Sequence, residues 1–234
     1  MQVVILAGGL ATRLRPLTDT MPKSLVEICG KPFLEYQLDF LKAGGVKDVV
    51  LCVGYQGDKI EQIFGGGRKF GVNIKYSYEK EQLLGTAGAL KNAEHLLGDK
   101  FFVLNGDSYL FLDFATVMSY FNGLRQLALM VVYKNYDRYD RSNTVIEGNL
   151  VKQYSKKKKT KDMIYIDYGA SILRKGALEL VSPNQVYSLE QLFQQLIPQK
   201  ELLAYEVTKR FYEIGSPEGL AEFRKAISKG EILQ

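Results

Sequence analysis

The chain has 234 residues, 46% of them apolar, which is enough to bury a sizeable core in one large α/β domain or two small ones. Its 31 basic and 26 acidic residues give a net charge of +5, which suits a phosphate-rich substrate. No apolar stretch reaches the roughly 18 residues of a membrane-spanning helix, and the first residues lack the pattern of a signal peptide. We therefore expect a cytoplasmic protein with no membrane partner.

Three features of the composition have simple interpretations. Cys29 and Cys52 are too few for a disulfide framework, so we expect reduced thiols, with Cys52 in the core. The lysine run 156–159 with Lys161 is interpreted as a solvated loop, with a dedicated partner as the alternative. The run lacks interleaved aromatic residues, so no nucleic-acid partner is expected. The single histidine, His95, is expected to be structural.

Strands and helices are predicted to alternate through the first half of the chain. Apolar, β-branched runs predict buried strands, and apolar residues at helical spacing that end at glycines predict helices. This alternation is typical of right-handed βαβ units and a parallel sheet. The predicted order is strand 2–6, helix 33–41, strand 48–53, helix 56–64, strand 72–78, helix 86–97 and strand 100–104.

The second half of the chain is less regular. Residues 147–149 form a turn that favours a hairpin between two short strands. Ser188 and Ser216 are predicted helix N-caps, and Pro217 follows at a first helical position. The predicted order is helix 114–121, strand 127–133, hairpin strands 144–146 and 150–154, strand 163–173, helix 188–197, strand 202–207 and helix 217–228.

The first 23 residues are the most informative stretch of the chain. The first strand ends in Ala7-Gly8-Gly9, and paired glycines let backbone N–H groups approach an anion. Arg13, Arg15 and Lys23 then supply three cations, as a triphosphate site requires. The alternative is a plain turn with exposed basic residues. Neither the Walker loop nor the G-x-G-x-x-G fingerprint occurs, which disfavours a dinucleotide-dependent dehydrogenase.

Ligands of open α/β sheets lie beyond the carboxyl ends of the strands. The segments 8–23, 79–88 and 105–107 all fall at such ends. Asp107 follows an apolar strand and a glycine, where a carboxylate suits Mg²⁺. Glu213, before a glycine turn and a predicted helix start, is the candidate second carboxylate. Its alternative role is an ordinary helix-start carboxylate favoured by the macrodipole.

The stretch from Leu6-Ala7-Gly8-Gly9 through Thr12-Arg13-Leu14 to Pro22-Lys23 resembles the opening of the sugar-1-phosphate nucleotidyltransferases. The resemblance implies a Rossmann-like α/β/α sandwich with a mixed, mostly parallel sheet, the nucleotide-diphospho-sugar transferase or GT-A-like fold. It implies one domain over residues 1–234, with a nucleotide-binding half 1–110 and a sugar-binding half 111–234. From this stretch, the implied nucleotide-binding residues are Leu6, Ala7, Gly8, Gly9, Thr12 and Arg13.

The segment 79–90 resembles the base-recognition loop of the same family and the helix that follows it. The resemblance implies nucleotide binding by Gln82, Gly85 and Thr86, and the Gly-Thr-Ala-Gly form is most similar to guanylyltransferases acting on mannose- or heptose-1-phosphate. Uridylyl- and thymidylyltransferases carry similar loops and stay open, as does an ordinary capped helix.

Other family positions are matched with departures. Glu213 stands where the family has a metal-binding Asp, so Asp107 and Glu213 are the implied ligands of a Mg²⁺ cofactor. Asp167 replaces a family Asn, and Lys156 replaces a family Glu. The implied sugar-binding residues are Asn105, Asn143, Lys157, Asp167 and Gly169.

The reaction implied by the resemblance is that of an NTP with a sugar 1-phosphate, giving an NDP-sugar and pyrophosphate. The implied catalytic residues are Arg13 on the β- and γ-phosphates, Lys23 between the two substrates, and Asp107. The sequence leaves open a monomer or a homo-oligomer. A non-catalytic nucleotide-sugar sensor is the hypothesis of another class, favoured by the departures at Lys156, Asp167 and Glu213.

Overall fold

The computed structural model describes residues 1–232, which form two compact units. The first unit contains residues 1–83, 104–110 and those from 211 onward, and the second contains 84–103 and 111–210. The strands are β1 Gln2–Leu6, β2 Glu27–Ile28, β3 Lys31–Pro32, β4 Asp48–Val53, β5 Asn73–Tyr78, β6 Lys100–Asn105, β7 Ser108–Tyr109, β8 Ala128–Lys134, β9 Thr144–Glu147, β10 Leu150–Tyr154, β11 Tyr165–Arg174, β12 Leu202–Val207 and β13 Tyr212–Glu213. The α-helices are α1 Phe33–Ala43, α2 Gly57–Phe64, α3 Gly85–Asn92, α4 Phe114–Asn122, α5 Leu189–Leu196 and α6 Pro217–Ser228.

The first unit is built on parallel strands in the order β5-β4-β1. Val3, Val4 and Ile5 of β1 are fully buried, as expected for a strand with helices to cover it. Two short antiparallel ribbons, β2 with β3 and β7 with β13, complete the unit.

Helix α1 buries a stripe of side chains in the first unit. Leu34, Leu38 and Leu41 recur at helical spacing and have no exposed surface. Phe33 at the start of the helix makes an edge-to-face contact with Phe223 of α6, with ring centroids 5.4 Å apart. These contacts hold α1 in a fixed position against α6.

The second unit combines parallel and antiparallel strands in the order β11-β8-β12-β10-β9. Strand β12 runs parallel to β8, whereas β11 is antiparallel to β8, and β10 is antiparallel to both β12 and β9. The register of β11 against β8 shifts between Asp167 and Ser171. Gly169, inside this irregular stretch, has a φ of +86°, a conformation that favours glycine.

The predicted α/β class with a mixed, mostly parallel sheet is confirmed. Every predicted strand and the β9–β10 hairpin are present, with bounds that differ by at most two residues. Ser188 and Ser216 cap α5 and α6 as predicted, and Pro217 is the first residue of α6. Within residues 1–232 we find no helix with the length and apolarity needed to cross a membrane.

One predicted element is wrong in extent. The helix predicted over 86–97 ends at Asn92, and a separate 3₁₀ turn covers Glu94–Leu96. The chain tightens there because Leu96 N–H donates to Ala93 O, three residues back, and this brings Leu97 into the core at 5% exposure. Gly98, the predicted stop, therefore lies beyond the helix.

The predictions for the cysteines and lysines agree with the structure. Both cysteines are free thiols, and Cys52 is buried, which raises the pKa of its thiol. Lys156, Lys157 and Lys158 are exposed in the loop after β10. His95 is also exposed, on the 3₁₀ turn that follows α3.

Candidate active site

The loop 7–23 follows β1 and folds back on itself. Thr18 is buried, and its hydroxyl donates to Ala11 O at 2.9 Å, which closes the loop. Leu14 is buried as well, whereas Arg13 is exposed, so the turn presents its guanidinium outward. The loop contains the 3₁₀ turns Thr12–Leu14, Leu17–Asp19 and Lys23–Leu25.

The three predicted catalytic residues come together in the first unit. Lys23 Nζ lies 2.5 Å from Asp107 Oδ2, and the two side chains are only 19% and 21% exposed. Arg13 lies near the same carboxylate, with Gly215 beside both. A methyl group at Gly215 would lie 2.9 Å from Arg13 Nη2 and 3.1 Å from Asp107 Oδ2. An ion pair in this partly buried setting is screened less by salt than an exposed pair.

Asp107 is carried by a tight turn between β6 and β7. The N–H of Gly106 donates to Leu6 O at 3.1 Å, and any side chain at Gly106 would overlap that carbonyl. On the other side, the N–H of Ile214 donates to Asp107 O at 2.9 Å. The turn is thus tied to the end of β1 and to the residue after β13.

Glu213 lies on the strand next to this turn. In the antiparallel β7–β13 ribbon, Glu213 is opposite Ser108, the residue that follows Asp107. The ribbon explains how two acidic residues far apart in the sequence reach neighbouring backbone positions. Because Gly215 comes two residues later, the same segment supplies both a carboxylate and the close approach to Arg13 and Asp107.

The residues around Asp107 fit a magnesium ion in their donor chemistry. Asp107 and Glu213 have carboxylate oxygens, the ligands that a hard cation prefers, and Gly215 adds no side chain of its own between Arg13 and Asp107. Across residues 1–232, no group of three or more His, Cys, Asp or Glu side chains is arranged to hold a metal. Mg²⁺ in proteins is usually held by one or two carboxylates together with substrate phosphates and water.

The glycine pair at the start of the loop differs in its two members. A methyl group at Gly8 would overlap Glu79 Oε2 and lie 3.2 Å from Gly54 N, so Gly8 is packed inside the unit. Among residues 1–232, a methyl group at Gly9 would meet nothing within 4 Å. The space in front of Gly9 is therefore open to a ligand.

The Gly-Thr-Ala-Gly segment at the start of α3 contacts the chain's own backbone in the second unit. The N–H groups of Ala87 and Gly88 both donate to Tyr187 O at 2.9 Å, and Tyr187 N–H donates to Leu84 O at 2.7 Å. A methyl group at Gly85, where φ is +71°, would lie 2.9 Å from the same Tyr187 oxygen. These contacts explain why glycines are needed at positions 85 and 88. Nucleotide binding by Gly85 stays a prediction.

Three of the predicted sugar-binding residues form one hydrogen-bonded network in the second unit. Asp167 N–H donates to Asn143 Oδ1 at 2.9 Å, and Gly169 N–H donates to Asp167 Oδ1 at 3.0 Å. Tyr154 OH donates to Asp167 Oδ2 at 2.9 Å. Burial, with the Asp167 carboxylate as a second cause, raises the pKa of Tyr154 well above its usual value, so its hydroxyl stays protonated.

The remaining predicted residues lie apart from this network. Lys157 is exposed, and its N–H donates to Ser155 Oγ at 3.2 Å. Gln82 is exposed at the end of the first unit's segment 1–83, and Asn105 lies in that unit as the last residue of β6. Their ligand roles stay predictions.

Sequence reasoning missed two residues that support the site. Tyr154 was predicted only as the end of a strand, yet it supports Asp167. Gln37 of α1 reaches the Asp107 turn, and the signal was a polar residue between Leu34 and Leu38 within an apolar stripe.

Comparison with known proteins identifies the family. The family model described as Nucleotidyl transferase matches residues 2–230. The chain is 32% identical over 225 residues to the D-glycero-alpha-D-manno-heptose 1-phosphate guanylyltransferase of Campylobacter jejuni, covering 95% of this chain and 98% of that protein. It is 32% identical over 225 residues to the mannose-1-phosphate guanyltransferase of Eremothecium gossypii, covering 93% of this chain but only 62% of that protein.

A solved structure shares the fold along nearly the whole chain. HddC from Yersinia pseudotuberculosis, complexed with GMP-PN, superposes with a TM-score of 0.80 at 29% identity and covers 97% of this chain and 99% of its own. The chain therefore belongs to the nucleotidyltransferase family. The predicted resemblance to the sugar-1-phosphate nucleotidyltransferases is confirmed by these matches.

Proposed function

We propose that this protein is a sugar-1-phosphate guanylyltransferase, which transfers GMP from GTP to heptose 1-phosphate or mannose 1-phosphate and releases pyrophosphate. The observation that carries the proposal is the cluster of Arg13, Lys23 and Asp107, which follows the open glycine turn. The guanylyltransferase relatives support the choice of GTP and of these sugars. Uridylyl or thymidylyl transfer to glucose-, N-acetylhexosamine- or muramate-1-phosphate is the alternative.

The reaction needs no protein nucleophile. An oxygen of the sugar phosphate forms a bond to the α-phosphorus, and the bond from that phosphorus to the pyrophosphate oxygen breaks. Catalysis then consists of positioning two anions and neutralising their charge. We assign Lys23 to hold the sugar phosphate against the α-phosphate, and Arg13 to the β- and γ-phosphates. Lys23 suits this role because Asp107 holds its ammonium in one place.

Mg²⁺ is the proposed cofactor, and Asp107 and Glu213 are the residues that would hold it. When bound, the ion would neutralise phosphate charge and help to orient the triphosphate. The protein keeps the two carboxylates on adjacent backbone segments through the pairing of β7 with β13.

The Asp167 network is the proposed sugar-binding region of the second unit. The Gly169 N–H and the Tyr154 hydroxyl each donate to one oxygen of the Asp167 carboxylate, and Asn143 Oδ1 accepts from the Asp167 backbone N–H. An ionised carboxylate can only accept hydrogen bonds. The sugar group that meets Asp167 must therefore donate, as a ring hydroxyl does.

The test is a matrix of pyrophosphate release with Mg²⁺. GTP, UTP, dTTP, CTP and ATP would each be paired with heptose-, mannose-, glucose- and N-acetylhexosamine-1-phosphate. We expect the strongest signal for GTP with heptose- or mannose-1-phosphate. A strong signal for UTP or dTTP instead would replace the guanylyl assignment with the alternative.

A matrix without pyrophosphate release would contradict the proposed activity. Binding of GTP and of a GDP-sugar would then be measured by calorimetry on the same protein. Binding without turnover would favour the non-catalytic sensor, and Glu213→Asp, which restores the residue typical of the family, would be the first variant to assay.

A further inference from the structure

A buried glutamine holds the turn that carries Asp107. Gln37 of α1 is 3% exposed, and its Nε2 donates to Asn105 O at 3.0 Å and to Ser108 O at 2.9 Å. The two carbonyls lie on either side of Gly106 and Asp107. One amide group therefore spans the whole turn and fixes the distance between its ends.

The orientation of this amide follows from its partners. Two carbonyl oxygens can be satisfied together only by the two hydrogens of an NH₂ group, so Nε2 must face the turn. Gln37 Oε1 is buried and has no hydrogen-bond partner among residues 1–232. A buried acceptor without a partner loses its hydrogen bonds to water and gains none in return, so an apolar residue at this position of α1 would bury better.

The mount of the glutamine is rigid. Its neighbours on the buried stripe, Leu34, Leu38 and Leu41, have no exposed surface. The helix therefore cannot shift without disturbing the core of the first unit. A side chain that sets the direction of another side chain must itself be held rigidly by its packing.

Two further ties to the turn are backbone bonds. The Gly106 N–H bonds to β1, and the Ile214 N–H bonds to Asp107 O. Gln37 adds the tie from α1, the helix that comes after the loop 7–23 in sequence. The three ties approach the turn from different elements, so together they fix where the Asp107 carboxylate points relative to Lys23.

We propose that Gln37 is a positioning residue, which acts through the turn 105–108 to hold the Asp107 carboxylate in contact with Lys23. The proposal rests on the function proposed above for its effect on turnover, but the contact itself is present in the protein without substrates. Gln37 touches no substrate in this account.

The variants separate positioning from folding. Gln37→Met keeps the length of the side chain and removes both donors, and Gln37→Glu keeps its shape but turns a carboxylate oxygen towards two carbonyl oxygens. Gln37→Glu serves if Gln37→Met does not fold. The matched control is Tyr36→Phe, which removes a buried hydrogen bond to a backbone carbonyl from the same helix but does not touch the Asp107 turn.

The expected kinetic result is a loss in kcat. A misplacement of about 1 Å in a catalytic group can cost about 100-fold, so we expect Gln37→Met to lower kcat by about 10- to 100-fold. KM for GTP is expected to change by less than about threefold, because ground-state binding does not depend on the turn alone. In the Asp107→Asn background, Gln37→Met should change kcat by less than about twofold, since the residue it positions is already altered.

The second readout needs no activity. Lys23 would be labelled with a limiting amine-acylating reagent and quantified by mass spectrometry against Lys31 in the same sample. Because the contact with Asp107 holds the Lys23 side chain at only 19% exposure, loss of the contact should free the amine to the reagent and raise labelling of Lys23 by about threefold. Tyr36→Phe should leave both kcat and Lys23 labelling at the wild-type level.

Two results would overturn the proposal. One is a Gln37 variant whose kcat and Lys23 labelling match those of Tyr36→Phe, and the other is a loss in kcat that adds fully to that of Asp107→Asn. If the wild-type protein shows no turnover with any substrate pair, the proposed function fails on its own. The positioning role is then decided by the labelling of Lys23 alone.

Discussion

Two glycine-containing segments of this protein resemble ligand-binding motifs, and the structure gives them different environments. At Gly9, a methyl group would meet nothing within 4 Å. At Gly88, a methyl group would lie 2.6 Å from Gln185 O and 2.8 Å from Leu84 Cβ. The first glycine leaves room for something that the chain does not supply, whereas the second lets two parts of the chain pack together.

The two segments also lead to different hydrogen-bonded groups. In the second unit, the N–H groups of Ala87 and Gly88 are both used by Tyr187 O. In the first unit, the loop after Gly9 leads to Arg13 and to the Lys23–Asp107 pair. Glycine in a motif therefore predicts close approach, but only the structure shows whether the approaching group is a ligand or the protein's own backbone.

The largest effect is expected at Lys23. Removing one preorganised charged group from a transition-state site costs about 10²–10³-fold in kcat, and we expect at least this loss for Lys23→Ala. The fold should survive, because Asp107 keeps some access to water at 21% exposure. Steady-state pyrophosphate release and a thermal melt measure the two effects.

The control for this variant is another ion-paired lysine of the same unit. Lys31 lies 3.3 Å from both Glu35 and Asp39 and is 46% exposed, so Lys31→Ala should leave kcat unchanged. Near-normal turnover in Lys23→Ala would refute the catalytic role of Lys23. The segment after β1 would then no longer differ from the Gly88 segment in serving catalysis.

At Gly88 we expect a loss of stability without a loss of nucleotide binding, the opposite of the loss of turnover without unfolding that is expected at Lys23. The added methyl of Gly88→Ala overlaps backbone and Leu84, and overpacking of this kind costs about 1–3 kcal/mol of the free energy of unfolding. For a chain of this size, that corresponds to a fall in Tm of about 2–4 °C per kcal/mol. KM for GTP in the folded protein should stay unchanged.

Gly176→Ala is the matched control in the same unit. A methyl group there would meet only Leu127 Cδ2, at 3.9 Å, so its Tm should stay close to that of wild type. A raised KM for GTP in Gly88→Ala, with an unchanged Tm, would reverse the comparison and make the segment a ligand site.

The sequence predicted the order of strands and helices because the signals are local. Apolar runs such as 48–53 and glycine stops such as Gly44 and Gly65 lie within or next to the element they define. The β7–β13 ribbon could not be predicted, because each strand has only two residues and its partner lies about a hundred residues away. The position of Glu213 beside the Asp107 turn depends on that ribbon.

The candidate site was predictable where a motif is contiguous and less so elsewhere. Arg13 and Lys23 belong to one stretch, and Asp107 follows an obvious strand. Gln37 acts through two backbone carbonyls, and no pattern in the sequence shows which carbonyls a side chain will meet. For Gly85 the pattern did show a close approach, but the Tyr187 carbonyl that makes it lies far along the chain.

A smaller effect than that of Gly88→Ala is expected at Gly9. Because its methyl group would meet no protein atom within 4 Å, Gly9→Ala should leave Tm unchanged. It should raise KM for GTP by about tenfold, a loss of about 1.4 kcal/mol, since the side chain would occupy the space proposed for the nucleotide. Gly66→Ala, also without protein neighbours within 4 Å, is the control that should change neither quantity.

The smallest effect is expected at Thr86, where the two interpretations of the second segment can be separated. Thr86 Oγ1 accepts a hydrogen bond from Leu189 N–H at 2.7 Å, next to the capping Ser188 of α5. Thr86→Val keeps the shape and removes this acceptor, at a cost of about 1 kcal/mol for one exposed hydrogen bond. We expect a slightly lower Tm with an unchanged KM for GTP, and Thr86→Ser, which keeps the hydroxyl, should match wild type. If KM for GTP rises in Thr86→Val while Tm stays constant, the hydroxyl serves the nucleotide, and the segment that packs on Tyr187 also binds substrate.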